Sequence, residues 1–289
     1  MGYLVAITIL WAFSFSLIGV YLAGQVDAYF SVLTRVALAT MVFLPFIRRV
    51  PLPLAAKLMA LGAIQLGCMY VCYYQSFLLL SVPEVLIFTI LTPVYVTLIF
   101  DLIQGRFSGR YLITALVAVL GAAIIRYSSL GSEIFTGFLV VQGANICFAI
   151  GQVGYKVLLE RENLQLPQRA IFGYFYLGAL TVSSVTWFLL GNPAKLPTTS
   201  LQWEILLYLG LIASGLGYFF WNKGATKVDA GTLAIMNNAL IPAGLIVNLL
   251  IWNREANLIR LSLGGAVLLF SLLLHEYWGK QQKLETQTN

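Results

Sequence analysis

The sequence predicts an all-α membrane protein with ten transmembrane helices, arranged as two inverted five-helix repeats. Three observations lead to this prediction. The 289 residues are 60% hydrophobic and 10% charged, with a mean hydropathy of +0.88, and so few charges cannot cover a soluble globule of this size. Ten apolar runs approach the length of about 20 residues that a bilayer-spanning helix needs. Two of these runs carry a proline near their middle, Pro93 in the fourth and Pro242 in the ninth.

The ten apolar runs, taken in chain order, are the predicted spans. Their approximate bounds are 2–22, 28–47, 58–80, 83–101, 111–128, 134–154, 170–190, 202–222, 230–250 and 260–277. The opening MGYLVAITIL lacks the basic leader and cleavage site of a secretory signal, so we expect it to begin the first span. The connections are short and hold no soluble domain. We predict a first repeat over 1–128, a second over 129–278 and a polar cytoplasmic tail over 279–289.

The positions of Lys and Arg predict that both termini lie in the cytoplasm, because cytoplasmic loops carry the excess of these residues. With the N-terminus inside, the inner side holds twelve of them: Arg48, Arg49, Lys57, Arg106, Arg110, Lys156, Arg161, Arg169, Lys223, Lys227, Lys280 and Lys283. The outer side holds four: Arg126, Lys195, Arg254 and Arg260. Only Arg35 falls within a span. Orientation signals therefore account for the net charge of +6, and we expect no binding of nucleic acid.

The three cysteines of the chain, Cys68, Cys72 and Cys147, all fall inside apolar runs. This placement predicts small packing residues and no disulfide. We expect no metal and no cofactor, and the lipid bilayer is the expected surrounding. The sequence does not decide the oligomeric state, and a monomer is compatible with it.

An internal repeat emerges when the halves are overlaid with the two prolines aligned. Pro93 in TILTPVYVTLIFDLIQGRF then falls on Pro242 in NNALIPAGLIVNLLIWNRE. Each half contains five predicted spans, and an odd number places the second half upside down relative to the first. Inverted repeats bind substrate where the halves meet, and proline-interrupted helices at matching positions point to that site. The prolines are therefore candidate helix-break or gating positions.

Adjacent amides next to the second proline give a further indication of a site. Asn237 and Asn238 lie in the ninth predicted span, where each polar group needs a partner other than lipid. Their position predicts a protein-lined or watery cavity.

Several longer strings resemble the EamA family of the drug/metabolite transporter superfamily, and in particular its biotin-importing branch. They are ILWAFSFS at 9–16, YLAGQVDAYFSVLTRVALA at 21–39, VFLPF at 42–46, LTPVYVTLIFD at 91–101, GAAIIRY at 121–127, FAIGQVGYK at 148–156, WFLLGN at 187–192 and GYFFWNKGATKVDAGTLAIMNN at 217–238. The resemblance covers essentially the whole chain and implies import of biotin by alternating access in the bacterial inner membrane. The family's Gly-Glu turn after the proline helix is altered here, to Gly105-Arg106 and Arg254-Glu255.

Biotin needs a cation for its carboxylate, and Arg35 is the candidate. It stands about seven residues into the second span, roughly 10 Å below the outer interface. A charge at that depth costs several kcal/mol without a partner or water, which favours a functional role. The alternative is a structural arginine that is neutralised by backbone carbonyls or by Asp27 near the outer surface.

The cyclic urea of biotin needs hydrogen-bonding groups, and two amide pairs are candidates. Asn237 and Asn238 form one pair, and Gln142 and Asn145, spaced three apart on one helix face, form the other. The alternative for both pairs is hydrogen bonding between spans without any contact to substrate.

Aromatic rings are expected to enclose the bicyclic part of biotin. The candidates are Trp11, Phe15, Tyr70, Tyr73 and Tyr74, and the alternative for each is packing between helices. Ser14 and Ser16 flank Phe15 and either contact substrate or let helices approach closely.

No carboxylate occupies the centre of a predicted span, so the sequence does not identify the energy source of transport. Glu84 and Asp101 bound the fourth span, and Asp229 opens the ninth. Proton cotransport through Glu84 or the substrate's own carboxyl, exchange, and facilitated entry followed by trapping are the alternatives.

Other functions are weighed against biotin import. An intramembrane enzyme is not expected, because the one histidine, His275, stands alone at the end of the last span. A scaffold does not account for prolines and amides deep in the membrane. The main alternative is an exporter of amino acids, amines or related metabolites, which the same fold would allow.

Overall fold

A computed structural model describes residues 2–105, 117, 132–162, 166–228 and 230–252, together with the single positions 259, 263, 266, 270, 273 and 277. The predicted spans over 111–128 and 260–277 lie outside the described residues, apart from these isolated positions. So do the predicted tail over 279–289, Arg106, Asp229, the Arg254-Glu255 turn and His275.

Eight long helices make up the described chain. They are α1 (Gly2–Leu22), α2 (Ala28–Phe46), α3 (Leu52–Leu79), α4 (Val82–Ile103), α5 (Ser132–Glu162), α6 (Gln168–Leu190), α7 (Ser200–Ala225) and α8 (Ala230–Trp252). We refer to α1–α4 as the first half and to α5–α8 as the second half. The helix starts and ends match the predicted spans closely, except that α3 begins earlier and α5 ends later. The two extensions bring Lys57 and Glu162 together in an exposed ion pair at 2.8 Å.

The helices are those of a multi-pass membrane protein. Within the described residues, seven helices (α1–α7) are long and apolar enough to cross a bilayer, and α8 adds the apolar stretch Met236–Trp252. No strand occurs in this part of the chain. Large apolar side chains such as Phe188 and Leu250 are about four-fifths exposed, which places them against lipid. An all-helical membrane fold is therefore confirmed.

α4 is interrupted at its proline, whereas α8 is not. An α-helical segment Val82–Phe88 is followed by a 3₁₀ turn, Thr89–Leu91, and a second α-helical segment, Thr92–Ile103. Pro93 has no N–H to offer the Thr89 carbonyl, and the Thr92 hydroxyl donates to that carbonyl instead, at 2.7 Å. In α8 the helix continues through Pro242.

Three of the described helices contain wide π-helical turns. These turns are Ile18–Leu22 in α1, Ala63–Cys68 in α3 and Tyr208–Leu216 in α7. Such turns often mark functional positions, because they shift side chains around the helix. The turn in α7 brings Ser214 to the site described below.

Glycines allow α3 and α6 to pack with their backbones in contact. A Cβ added to Gly62 would lie 1.8 Å from the Phe175 carbonyl oxygen, and one added to Gly178 would lie 1.8 Å from the Met59 carbonyl oxygen. Small residues permit this close approach between membrane helices.

The contacts between the two halves occur in matched pairs. Suppose that α1–α4 correspond in order to α5–α8. The contact between α1 and α8 is then equivalent to the contact between α5 and α4, and the contact between α1 and α7 is equivalent to that between α5 and α3. In the same way, the contact between α2 and α7 is equivalent to that between α6 and α3. The remaining contacts, between α2 and α6 and between α4 and α8, each join a helix to its own counterpart in the other half. The cavity described next lies between the halves.

Candidate functional site

An aromatic cavity lies between α1–α3 of the first half and α5, α7 and α8 of the second. Its lining residues are Trp11, Ser14, Phe15, Ile18, Arg35, Tyr70, Tyr73, Tyr74, Phe77, Phe148, Tyr218 and Leu240. Aromatic and apolar side chains around a few polar groups are typical of sites that bind small molecules.

Arg35 is the charged group of the cavity. The side chain is 3% exposed and binds three hydroxyl oxygens. Nε donates to Ser214 Oγ at 3.1 Å, one terminal nitrogen donates to Tyr74 at 3.2 Å, and the other donates to Tyr70 at 3.0 Å. The guanidinium carbon also lies 4.3 Å from the centre of the Tyr70 ring. The cation is therefore held in place by neutral groups.

The helices explain how these three hydroxyls converge. Tyr70 and Tyr74 are one turn apart on α3 and share a face. Ser214 reaches them from the π-helical turn of α7, and its hydroxyl lies 2.7 Å from that of Tyr70. The backbone of this turn is fixed by Tyr176, whose hydroxyl lies 2.7 Å from the carbonyl oxygens of both Ser214 and Gly215 and donates to one of them at a time.

The positive charge of Arg35 has no carboxylate partner within the described residues. Asp27, the alternative partner considered from the sequence, caps α2 by accepting from Phe30 N at 2.8 Å. Its second carboxylate oxygen accepts from Asn192 N at 3.0 Å. Of the five guanidinium N–H groups, three are used, and one on each terminal nitrogen makes no hydrogen bond to the described chain. Two such groups suit a carboxylate.

Three large rings, those of Trp11, Tyr218 and Phe148, line one part of the cavity, and the Trp221 ring packs against them. Trp11 packs against Tyr218, Trp221 and Phe148 at centroid distances of 4.6, 5.0 and 6.0 Å. The Trp11 indole N–H donates to the Ala213 carbonyl at 2.8 Å. On another wall, Phe15 packs edge-on against Tyr73 and Phe77. These rings offer a flat apolar ligand broad contact surfaces.

Two hydroxyls in the cavity lie outside the Arg35 cluster. The Ser14 hydroxyl makes no hydrogen bond of normal geometry to the described residues, although the Tyr208 hydroxyl interacts with it. Tyr73 donates to Asn145 Oδ1 at 3.2 Å. Ser16, the second serine considered from the sequence, accepts from Asn248 Nδ2 at 3.2 Å and does not line the cavity.

Gln142 and Asn145 lie behind the cavity wall. Their side-chain nitrogens donate to the Phe88 carbonyl, next to the interruption in α4, at 3.2 and 3.0 Å. Asn145 also donates to Gln142 Oε1 at 3.0 Å. Among the described residues of the cavity lining, Tyr73 is the one that hydrogen-bonds to this amide pair. The arrangement matches the alternative of hydrogen bonding between helices.

Asn237 and Asn238 do not line the cavity either. Asn237 exchanges two long hydrogen bonds of 3.4 Å with Gln152, which also accepts from the Trp221 indole at 3.0 Å. Both amide atoms of Asn238 are buried without a partner in the described chain. Asn238 also precedes Pro242 by four residues, so its carbonyl lacks the usual helical N–H donor.

The remaining sequence candidates are the two prolines and Glu84. Pro93 lies at the interruption of α4 and Pro242 inside α8, as described above. Glu84 is 7% exposed, and its Oε2 accepts from the backbone N–H and the hydroxyl of Ser81, which caps the start of α4. Within the described parts of the chain, no group of three or more His, Cys, Asp or Glu side chains could hold a metal ion.

The structure therefore brings Trp11, Ser14, Arg35, Tyr70 and Tyr73 together and places the amides behind them. The sequence interpretation missed Ile18, Phe77, Phe148, Tyr218, Leu240 and Ser214. Phe77 could have been found, because it lies four residues beyond Tyr73 on the same helix face. Ser214 gave no signal, since the sequence does not reveal the π-helical turn that presents it.

Comparisons with known proteins agree with a transport site. The model of the EamA-like transporter family matches residues 135–277. The chain is 57% identical to a Pseudomonas aeruginosa protein named "Probable biotin transporter", over 94% of this chain and 96% of that protein. It is 52% and 51% identical to proteins named "Biotin transporter" from Salmonella typhimurium and Escherichia coli, over 99% of this chain and 96% of each relative.

A solved structure described only as "Crystal structure of protein" has the same fold. It aligns with a TM-score of 0.66 over 94% of this chain and 95% of that chain, at 17% sequence identity.

Proposed function

The chain belongs to the EamA-like transporter family, and on that premise we propose that it imports biotin across the bacterial inner membrane. It is a multi-pass membrane transporter of small molecules and not an enzyme. One structural observation supports biotin as the substrate independently of the relatives' names. Arg35 is buried in an aromatic cavity, held by three hydroxyls, with no carboxylate partner in the described chain.

The cavity offers a chemically matching group for each part of biotin. Arg35 binds the carboxylate, and Tyr70 holds the guanidinium in place. Trp11 and its neighbouring rings pack against the thioether bicycle. Ser14 and Tyr73 are the hydroxyls within reach of the cyclic urea, whose carbonyl accepts and whose two N–H groups donate.

Three of the four candidate amides have supporting roles in this proposal. Gln142 and Asn145 act through Tyr73, which donates to Asn145. Asn237 acts through Gln152 and Trp221 beneath the aromatic end of the cavity. Asn238 is the amide available to substrate after a rearrangement of α8, because both its polar atoms lack partners in the described chain.

We further propose ten transmembrane helices in two inverted repeats, over 1–128 and 129–278, that work by alternating access. The matched contacts between α1–α4 and α5–α8 support this symmetry. The interruption of α4 at Pro93 and the proline inside α8 support a substrate site between the repeats. The distribution of Lys and Arg supports cytoplasmic termini and a cytoplasmic tail over 279–289.

Glu84 is the proposed residue for proton coupling. It is a buried carboxyl at the start of the interrupted helix. Protonation would remove charge from an oxygen that accepts two hydrogen bonds from Ser81. Loss of this cap would loosen the start of α4.

Uptake of labelled biotin tests the proposal. A strain that lacks both biotin synthesis and its own uptake system is supplied with this protein and with nanomolar biotin. We expect growth and accumulation of label, and competition by excess unlabelled biotin but not by amino acids or amines. Membrane-inserted protein that supports no accumulation refutes biotin import, and export of amino acids or amines from loaded cells would favour the alternative.

A further inference from the structure

The interruption of α4 is bridged by side chains from the other half of the protein. Gln142 and Asn145 lie three residues apart on α5, at 7% and 0% exposure. Both donate to the Phe88 carbonyl, which ends the first α-helical segment of α4. On the far side of the interruption, Tyr95 of the second segment donates to Gln142 Oε1 at 3.3 Å. One amide pair therefore binds both segments.

The same amide pair reaches the cavity through one hydroxyl. Tyr73 lines the cavity and donates to Asn145 Oδ1 at 3.2 Å. A phenol has one proton and makes one such donation at a time. A ligand carbonyl that accepts a hydrogen bond from Tyr73 therefore replaces Asn145 as its acceptor. A ligand N–H can instead donate to the Tyr73 oxygen, and the hydrogen bond from Tyr73 to Asn145 then remains.

The amides have a physical reason to be at this place. A helix interruption in a membrane exposes backbone groups that lipid cannot satisfy. The Thr92 hydroxyl serves the Thr89 carbonyl within α4 itself, while the Phe88 carbonyl receives two donors from α5. Their withdrawal would leave the interruption with fewer partners and therefore easier to bend.

We infer that Gln142 and Asn145 are positioning residues that clamp the two segments of α4, and that Tyr73 releases this clamp when a urea-type carbonyl occupies the cavity. The inference rests on the proposed function, because it assigns the acceptor to the cyclic urea of biotin. It makes Tyr73 the link between occupancy of the cavity and the shape of α4.

Hydrogen exchange of the purified protein in lipid nanodiscs tests the clamp without transport. The variant Asn145→Asp keeps the shape and the acceptor for Tyr73, but it replaces two N–H donors with at most one O–H donor, so it cannot serve both Phe88 and Gln142. We expect exchange in peptides covering 82–103 to become about five- to tenfold faster, with peptides of α6 unchanged. The control Ile146→Val, at a 38% exposed neighbouring position, should exchange like the wild type. If Asn145→Asp also does so, the clamp does not exist.

Tyr95→Phe provides a second, milder variant. It removes one hydroxyl and leaves the packing intact, so it addresses the clamp even if Asn145→Asp fails to fold. We expect faster exchange confined to the segment Thr92–Ile103 and a kcat for uptake about tenfold lower, with KM within about threefold of wild type. Wild-type exchange and wild-type kcat would overturn the inference.

Tyr73→Phe tests the link to substrate. In the wild type we expect biotin to increase exchange in α4, and in Tyr73→Phe we expect this ligand-induced change to be absent. A biotin response that persists in Tyr73→Phe refutes the link. If the wild type takes up no biotin at all, the proposed function fails, while the exchange of Asn145→Asp in the absence of ligand still decides whether the clamp exists.

Discussion

Replacement of Arg35 tests how the cavity recognises an anion. The guanidinium uses three of its five N–H groups on Ser214, Tyr74 and Tyr70. The two others are available for a substrate carboxylate. Charge-assisted hydrogen bonds contribute about 1.5–3 kcal/mol each, so two of them give about 3–6 kcal/mol. Arg35→Ala should therefore raise KM for biotin at least about 100-fold.

Arg35→Lys separates charge from geometry. Lysine keeps the charge but cannot form the forked pair of bonds, and its three donors cannot serve three hydroxyls and a carboxylate together. We expect the loss of about one bond, or roughly a 10- to 100-fold higher KM. The control Arg169→Lys changes an exposed arginine at the start of α6 and should leave KM unchanged.

The assay is initial uptake of labelled biotin by proteoliposomes, with equal amounts of folded protein verified by size-exclusion chromatography. Competition with biotin methyl ester adds a second measurement. The wild type should prefer biotin over the ester, and Arg35→Ala should lose this preference because its site no longer holds a cation. A wild-type KM in Arg35→Ala, or an unchanged preference for the acid, would refute the assignment of Arg35 to the carboxylate.

Three further substitutions test the fold around the cavity, each through the apparent melting temperature in detergent. Gly178→Ala places a methyl group against the Met59 carbonyl and should destabilise by about 1–3 kcal/mol, whereas Gly2→Ala, with open space around it, should not; equal melting temperatures would contradict the close packing. Asp27→Ala removes the cap of α2 and the bond to the loop that holds Asn192 and should cost about 0.5–2 kcal/mol, with Asp27→Asn intermediate. An unchanged melting temperature would mean that water replaces both bonds. Trp11→Phe keeps a ring but loses the N–H donor to α7. We expect its stability to fall by about 1 kcal/mol and its KM for biotin to rise. A wild-type melting temperature together with a wild-type KM would show that Trp11 is not part of the site.

Some features of the protein follow from local properties of the chain. Hydropathy sums over about 20 residues predicted the helices, because the bilayer acts on each span separately. Arg35 was recognised in the same way, since a charge in an apolar run is costly whatever surrounds it. Pro93 was expected to interrupt its helix, because a missing N–H is a property of the residue itself, but the same expectation for Pro242 was wrong, since α8 continues through it. Each of these conclusions needed only neighbours in sequence.

The partners of these residues were decided by the tertiary structure alone. Arg35 meets Ser214, 179 positions away, only because α2 packs on the π-helical turn of α7. Gln142 and Asn145 were candidates for direct contact with substrate, yet α5 turns them toward the interruption in α4. The sequence of a helix indicates which residues share a face, but the packing of helices that are distant in sequence decides which residues that face contacts. For this reason the sequence by itself determined the membrane class, the spans within the described residues and the unusual charge, and only the packed helices determined which groups form the site.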